Sequence, residues 1–303
     1  MKPQSFSRHW LLLLFLIASA ATASSLPLDT RARVQTAPNS GEWGASNKSV
    51  TIASTAFLGG PEFHFKEDNR PTVLFLVGDE EYKTGETVPQ WAQRDLAWRG
   101  VRCTFVIDDP KMPATLAGLE KLADADALFI SLKRRALTPA QFGLIRKHID
   151  AGKPVLGIRT ASHAFGAKNP EPGREAWDTF DRDVFGGNYQ NHYGKGAPTL
   201  VRTAPAAAEH PILTGLPTNG MRFVSHLYKC RDLGTNTATL LIGQVENKPD
   251  INEPLAWVNT NSNRRIFYTS LGSPEDFSEP DFRRLLLNAT LWALQQPVPQ
   301  AVK

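Results

Sequence analysis

Between about residue 71 and residue 158, short continuous apolar runs alternate with stretches whose apolar residues recur at helical spacing. Thr72 to Val77 (TVLFLV), Val101 to Ile107, Ala127 to Leu132 (ALFISL) and Pro154 to Ile158 have the length and unbroken hydrophobicity of strands buried on both faces. A helix is predicted from about Thr87 to Trp98, with Thr84 or Glu86 near its start and Gly100 at its end, and a short one from Leu116 to Ala123. Thr138-Pro139-Ala140-Gln141 supplies an N-cap, a proline at the first helical position and a capping-box glutamine. Phe142, Ile145 and Ile149 then share one helical face, and Gly152 stops the run. Strands alternating with helices in this way predict an α/β fold with a mostly parallel sheet covered on both faces.

The second half is less regular. Residues 166–198 hold a glycine- and tyrosine-rich excursion, Gly186-Gly187-Asn188-Tyr189 and Asn191-His192-Tyr193-Gly194, expected to overhang the sheet. Thr199 to Thr203, Thr239 to Val245, Leu255 to Val258 and Arg265 to Ser270 read as strands, and an amphipathic helix is expected from about Asp281 to Leu294. Residues 24–69 lack helical periodicity and predict an irregular lead-in with a short strand at Ser49 to Ile52. With no internal repeat or linker, one domain over 70–297 is expected.

The first 23 residues change the picture of where the protein works. Lys2, Arg8 and His9 precede an apolar stretch, Trp10 to Ala20, too short to span a bilayer well, and Ala21-Thr22-Ala23 fits a cleavage site. This predicts a signal peptide and a periplasmic or secreted protein without stable membrane insertion. The chain carries 34 Lys and Arg against 30 Asp and Glu; without Lys2 and Arg8 the count is 32 against 30, leaving no electrostatic footprint for nucleic acid. Cys103 reads as a small buried hydrophobe, and its pairing with Cys230 is open.

The chain has no Gly-x-Gly-x-x-Gly after a strand, no P-loop, no His-Glu-x-x-His, no Cys-x-x-Cys and no Gly-x-Ser-x-Gly, so no cofactor is called for. Chemistry is instead suggested where the strand Val155 to Ile158 breaks into Arg159, a strand-to-helix elbow that in α/β enzymes faces a ligand site. An arginine there grips charge or polar oxygen. Its partner is a ligand or a carboxylate of the Asp79-Glu80-Glu81 loop. Ser162 and His163 follow on a helix-like run, where neighbours point about 100° apart and are not expected to bond each other. Tyr189, His192 and Tyr193 suit sugar recognition by flat rings with polar rims. His192 is a candidate general acid or base, with Glu81 second. His226 and Tyr228 alternate on a strand and so share a face. A metal site from His192, His226 and a carboxylate is an alternative without local spacing to support it. Asp276 is a candidate in the last loop, and Lys133-Arg134-Arg135 raises the further reading of a sugar-acid sensor.

Several segments together resemble one family. GDEEYKTGETVPQWA, SLKRRALTPAQ, GIRTASHAF, FGGNYQNHYG, HPILTGLP, HLYK, RIFYTSLGSPEDF and LLLNATLWAL, in this order over residues 70–296, are similar to the ThuA-like (trehalose utilisation) proteins. The resemblance implies a flavodoxin-like doubly wound sheet of the class I glutamine amidotransferase type. Arg159 stands where those amidotransferases carry cysteine and where many ThuA-like proteins carry histidine; Ser273 stands in a further histidine position, and Ser225-His226 replace an Asp-Glu pair. The implied function is carbohydrate metabolism: hydrolase or lyase chemistry on disaccharides or 3-keto-glycosides, or non-catalytic carbohydrate binding. In the enzymatic reading Arg159, His192 and Glu81 act on the reacting sugar, while Glu80, Tyr82, Ser162, His163, Tyr189, His226, Tyr228 and Asp276 bind it.

Overall fold

A computed structural model of the chain describes residues 49–52, 69–109, 112, 114–194, 196–261 and 264–300. The expected signal peptide and most of the 24–69 lead-in lie outside the described residues. The strands are β1 (Ser49–Ile52), β2 (Thr72–Val77), β3 (Arg102–Ile107), β4 (Ala127–Ser131), β5 (Val155–Ile158), β6 (Asn191–His192), β7 (Thr199–Thr203), β8 (Met221–Phe223), β9 (Tyr228–Lys229), β10 (Thr237–Val245), β11 (Asn252–Asn259) and β12 (Ile266–Thr269). The α-helices are α1 (Thr84–Asp95), α2 (Pro139–Asp150) and α3 (Pro280–Ala293).

Ten strands form one sheet in the order β1-β3-β2-β4-β5-β12-β11-β10-β7-β8. The run β3-β2-β4-β5-β12 is parallel throughout. It reproduces the flavodoxin order 2-1-3-4-5, whose connections reverse direction between the first and third strands, here β2 and β4. Antiparallel strands extend this parallel centre at both edges. The continuous apolar runs follow from burial on both faces. Val73, Phe75 and Val77 of β2 pack with Val88 and Trp91 of α1 and with Phe282 and Leu286 of α3. Leu74 and Leu76 point the other way, towards Phe142, Ile145 and Ile149 of α2.

The element boundaries differ from expectation in physically intelligible places. Helix α1 begins at Thr84 rather than Thr87 and passes into a tight turn over Ala97–Arg99 that Gly100 closes in the left-handed region. Leu119–Ala123 is a 3₁₀ segment, as is Arg159–His163, where a helix-like run was expected. Residues 221–229 are not one strand. Chain direction changes at Val224 and Ser225, so His226 precedes the separate strand β9. Helix α2 carries the predicted capping box: Thr138 accepts from the Gln141 amide, and Gln141 accepts from that of Thr138. Cys103 and Cys230 are both buried and unpaired.

Candidate functional site

In open α/β sheets ligands bind beyond the carboxyl ends of the strands, at the point where strand order reverses. Here that point lies beyond Val77 of β2 and Ser131 of β4. A cleft of ≈ 430 Å³ opens there, lined by Asp79, Glu80, Glu81, Lys133 and Arg135. The floor is drawn tight at Gly78, whose amide donates to Ser131 O at 3.2 Å. Gly78 has φ +150°, and a Cβ there would lie 2.4 Å from Asp108 Cβ, so the close approach of the two loops requires glycine.

Asp79 is almost wholly buried at the base of the cleft. It accepts from Thr160 Oγ1 at 2.6 Å and from the Glu81 amide at 3.0 Å, tying the loop after β2 to the elbow after β5. Burial raises its pKa, with Thr160 and Lys133 partly offsetting this, so the carboxyl holds a proton more readily than an exposed aspartate. Sequence reading considered Asp79 only as an ion-pair partner. Its burial depends on the packing of two distant loops, and no local pattern announces that. Glu80 is exposed at the cleft, and Glu81 forms an ion pair with Lys133.

Arg159 occupies the elbow in the left-handed conformation, φ +51°, and is fully buried. Nη1 donates to His226 O at 2.9 Å and to Ser270 O at 2.6 Å, and Nη2 donates to Tyr82 Oη at 3.3 Å. Nη2 also lies 3.0 Å from the His226 ring nitrogens. The guanidinium sits over the rings of Tyr82 and Tyr228, at 4.7 and 4.3 Å from their centroids. The expected ion pair with Asp79, Glu80 or Glu81 is not formed: those carboxylates are held by Thr160 and Lys133 or face solvent, and carbonyls and rings from remote segments take their place. Arginine has only donors, so a His226 ring nitrogen bonded to it must be an acceptor, which a neutral imidazole supplies.

The remaining candidates form a wall of rings beside this cation. His163 stacks on Tyr189 at 4.4 Å with an interplanar angle of 17°. Tyr189 leans on Tyr228 at 4.6 Å, and His226 meets His192 edge to face at 4.4 Å. His226 and Tyr228 are 6.0 Å apart, so the two rings come together although no continuous strand joins them. The expectation for Ser162 and His163 is corrected. Their side chains do bond, Ser162 Oγ to His163 Nδ1 at 3.0 Å, because the stack on Tyr189 fixes the imidazole beside its neighbour on a tight turn. Burial, with Arg134, Lys133 and Arg159 adding to it, pushes the His163 pKa down to about 3, which makes it a weak base.

His192 is partly exposed on β6, which pairs with β9. Its Nδ1 accepts from the Gly194 amide at 3.1 Å. The strand is clasped from below: Tyr193 Oη donates to the buried Glu253, which also accepts from the Cys230 amide and from Arg231. Asp276, by contrast, lies inside the molecule. Its Oδ2 accepts from Ser225 Oγ and from the amides of Gly272 and Ser273, so it fixes the last loop. Among the described residues no group of three or more His, Cys, Asp or Glu is placed to hold a metal ion.

The topology and the elbow now meet the sequence comparison that decides the family. The ThuA family profile, described as trehalose utilisation, matches residues 64–293. The chain belongs to the ThuA family. Among solved structures it is similar to a ThuA-like protein from Parabacteroides merdae, with a TM-score of 0.56 and 16% identity over 77% of this chain and 92% of that one. Weaker likenesses include a cytoplasmic protein from Salmonella typhimurium (TM-score 0.45, 12% identity, 73% of this chain and 98% of that one). Another is a cold-adapted β-galactosidase from Rahnella (TM-score 0.47, 13% identity, 77% of this chain and 32% of that one). No protein of curated function matches in sequence. The ThuA-like match supports the doubly wound fold, and the family supports a role connected with carbohydrate.

Proposed function

We propose that this ThuA family member is an exported enzyme of carbohydrate metabolism that takes a saccharide into the cleft beyond β2 and β4 and acts on it by proton transfer. The reaction is a hydrolase or lyase step on a disaccharide or a 3-keto-glycoside. The observation that carries this reading is the group of partly exposed rings His163, Tyr189 and His192, backed by the buried rings of Tyr228 and His226, beside a site that holds no activated nucleophile among the described residues. Ser162 is buried against a weakly basic imidazole, and burial raises the pKa of both Cys103 and Cys230. Flat rings with polar rims suit a pyranose. Export rests on the basic, apolar and small-residue sequence of the first 23 residues.

On a 3-keto-glycoside His192 would take the proton from C2, the C–H electrons would form the C1–C2 double bond, and the C1–O bond would break. Asp79, kept protonated more readily by burial, would supply the proton to the departing oxygen. Glu81 is already bonded to Lys133 and serves less well as a base. Arg159, fully buried, with Nη1 on two protein carbonyls and Nη2 on Tyr82 and the His226 ring, is a positioning residue: it orients His226, whose ring in turn abuts that of His192. A second reading, carbohydrate binding without turnover, is favoured by the same burial of the elbow residue.

The test is to incubate the purified chain with a pool of disaccharides and their 3-keto derivatives and follow products by mass spectrometry. Cleavage that falls by about 10²-fold or more in His192→Ala is expected. Saccharide binding without turnover, unchanged in His192→Gln, would replace the enzyme with the binding protein.

A further inference from the structure

Of the three consecutive cations after β4, two are neutralised by the protein itself. Lys133 pairs with Glu81 and Arg135 with the buried Asp108. Arg134, between them, is exposed, and among the described residues its side chain makes no hydrogen bond or ion pair. Its placement is nevertheless tightly specified. The backbone is left-handed at Arg134, φ +52°, a conformation uncommon for a residue with a Cβ. It is imposed by two consecutive bonds: the Arg134 amide donates to His163 O at 3.0 Å and the Arg135 amide to Ala164 O at 2.6 Å. Backbone strain of this kind persists where the surroundings over-determine it, and it clusters at binding sites.

Those two bonds anchor Arg134 to the segment that carries the His163–Tyr189 stack. The His163–Tyr189 pair thus has anchored beside it a cation with no ion-pair partner among the described residues, next to a cleft whose basic lining groups, Lys133 and Arg135, are already paired.

We infer that the saccharide taken by this site carries a negative charge, and that Arg134 is the residue that selects it. The inference rests on the carbohydrate reading above and names the substrate class within it. The guanidinium fork matches a carboxylate through two parallel hydrogen bonds, so the class is a uronic or aldonic type of sugar acid. The sugar packs on the exposed edge of the His163–Tyr189 pair while its carboxylate reaches Arg134. Glu80, which also lines the cleft, is suited to accept from sugar hydroxyls.

Calorimetric titration of the full chain with glucuronate, glucose, glucose 6-phosphate and glucosamine separates the alternatives. Glucuronate is expected to bind roughly tenfold or more tightly than glucose, and tighter than the phosphate. The preference should fall away at high salt while glucose binding stays nearly unchanged. Arg134→Ala should abolish the preference, and Arg134→Lys should retain part of it. Arg134→Gly suits the left-handed backbone, so it should keep or raise the melting temperature and still lose the preference. Equal affinity for glucose and glucuronate, or a preference for the phosphate or for glucosamine, would overturn the sugar-acid assignment while leaving carbohydrate binding intact. Loss of glucose binding in parallel in Arg134→Gly would make the residue structural. Failure of the wild-type chain to bind any of the four would overturn this inference, while the carbohydrate reading itself falls only if the disaccharide and 3-keto pool is neither bound nor turned over.

Discussion

Asp181 shows how a single buried group ties stability to the site. It opens the five-residue π-helical segment Asp181–Phe185, and its Oδ2 accepts from the Tyr189 amide at 2.8 Å, holding the loop that carries the ring wall. Its Oδ1 is buried without a partner, and burial raises the pKa from 3.8 to about 7. The folded state therefore holds the proton that the unfolded chain releases. The stabilisation is complete below about pH 4 and is lost as pH rises through about 7. Asp181→Asn removes this dependence. Its unfolding free energy, measured beside the wild type from pH 4 to pH 8, should gain on the wild type by on the order of a few kcal/mol across that interval. A constant difference would place the proton elsewhere. The elbow residue follows the same logic of remote partners. The sequence marks Arg159 as a buried cation that needs satisfaction, but Tyr82, His226 and Ser270, which satisfy it, come from three distant segments. Their convergence is a property of the sheet order.

At the scale of elements, local chemistry and periodicity carry most of the information. Helix α2 is the plainest case, since the cap, the proline, the apolar face and the stop are all contiguous in sequence. Thr138→Ala removes the side chain that accepts from the Gln141 amide. It should cost about 1 kcal/mol in chemical denaturation, without altering the denaturant slope. The elements that were less legible are those whose form is set by packing. A 3₁₀ turn replaces the expected helix at the elbow, because Arg159 must enter left-handed beneath Tyr82 and Tyr228. Gly157, two residues earlier on β5, has no room for a Cβ, which would meet Phe185 at 2.4 Å. No helical period encodes that contact. Among the described residues the short strands β6 and β9 pair only with each other, and the clasp through Glu253 holds β6, and with it His192, in place.

For the molecule as a whole, the parallel strands were legible because burial on two faces writes continuous apolar runs into the chain, while the antiparallel extension appeared only as scattered strand-like segments. Strand order is not a local property; it determines where the cleft opens, and only the folded sheet brings the loops after β2, β4 and β5 to one edge beside residues 186–193 and 226–228. The sequence nominated all five rings found in the wall, but it missed Asp79 as a cleft group and treated Ser162 and His163 as unconnected.

The central claim is that a saccharide sits on the wall made by His163, Tyr189 and His192 at the switch point of the sheet. The most direct test is to titrate the chain, labelled at histidine and tyrosine side chains, with a bound saccharide such as glucuronate and follow the resonances by NMR. The account predicts saturable shifts at His163, Tyr189 and His192, with His148 and His210, which lie elsewhere in the fold, left in place. Saturable shifts confined to the latter pair, or none at the wall while binding is measured by calorimetry, would contradict it.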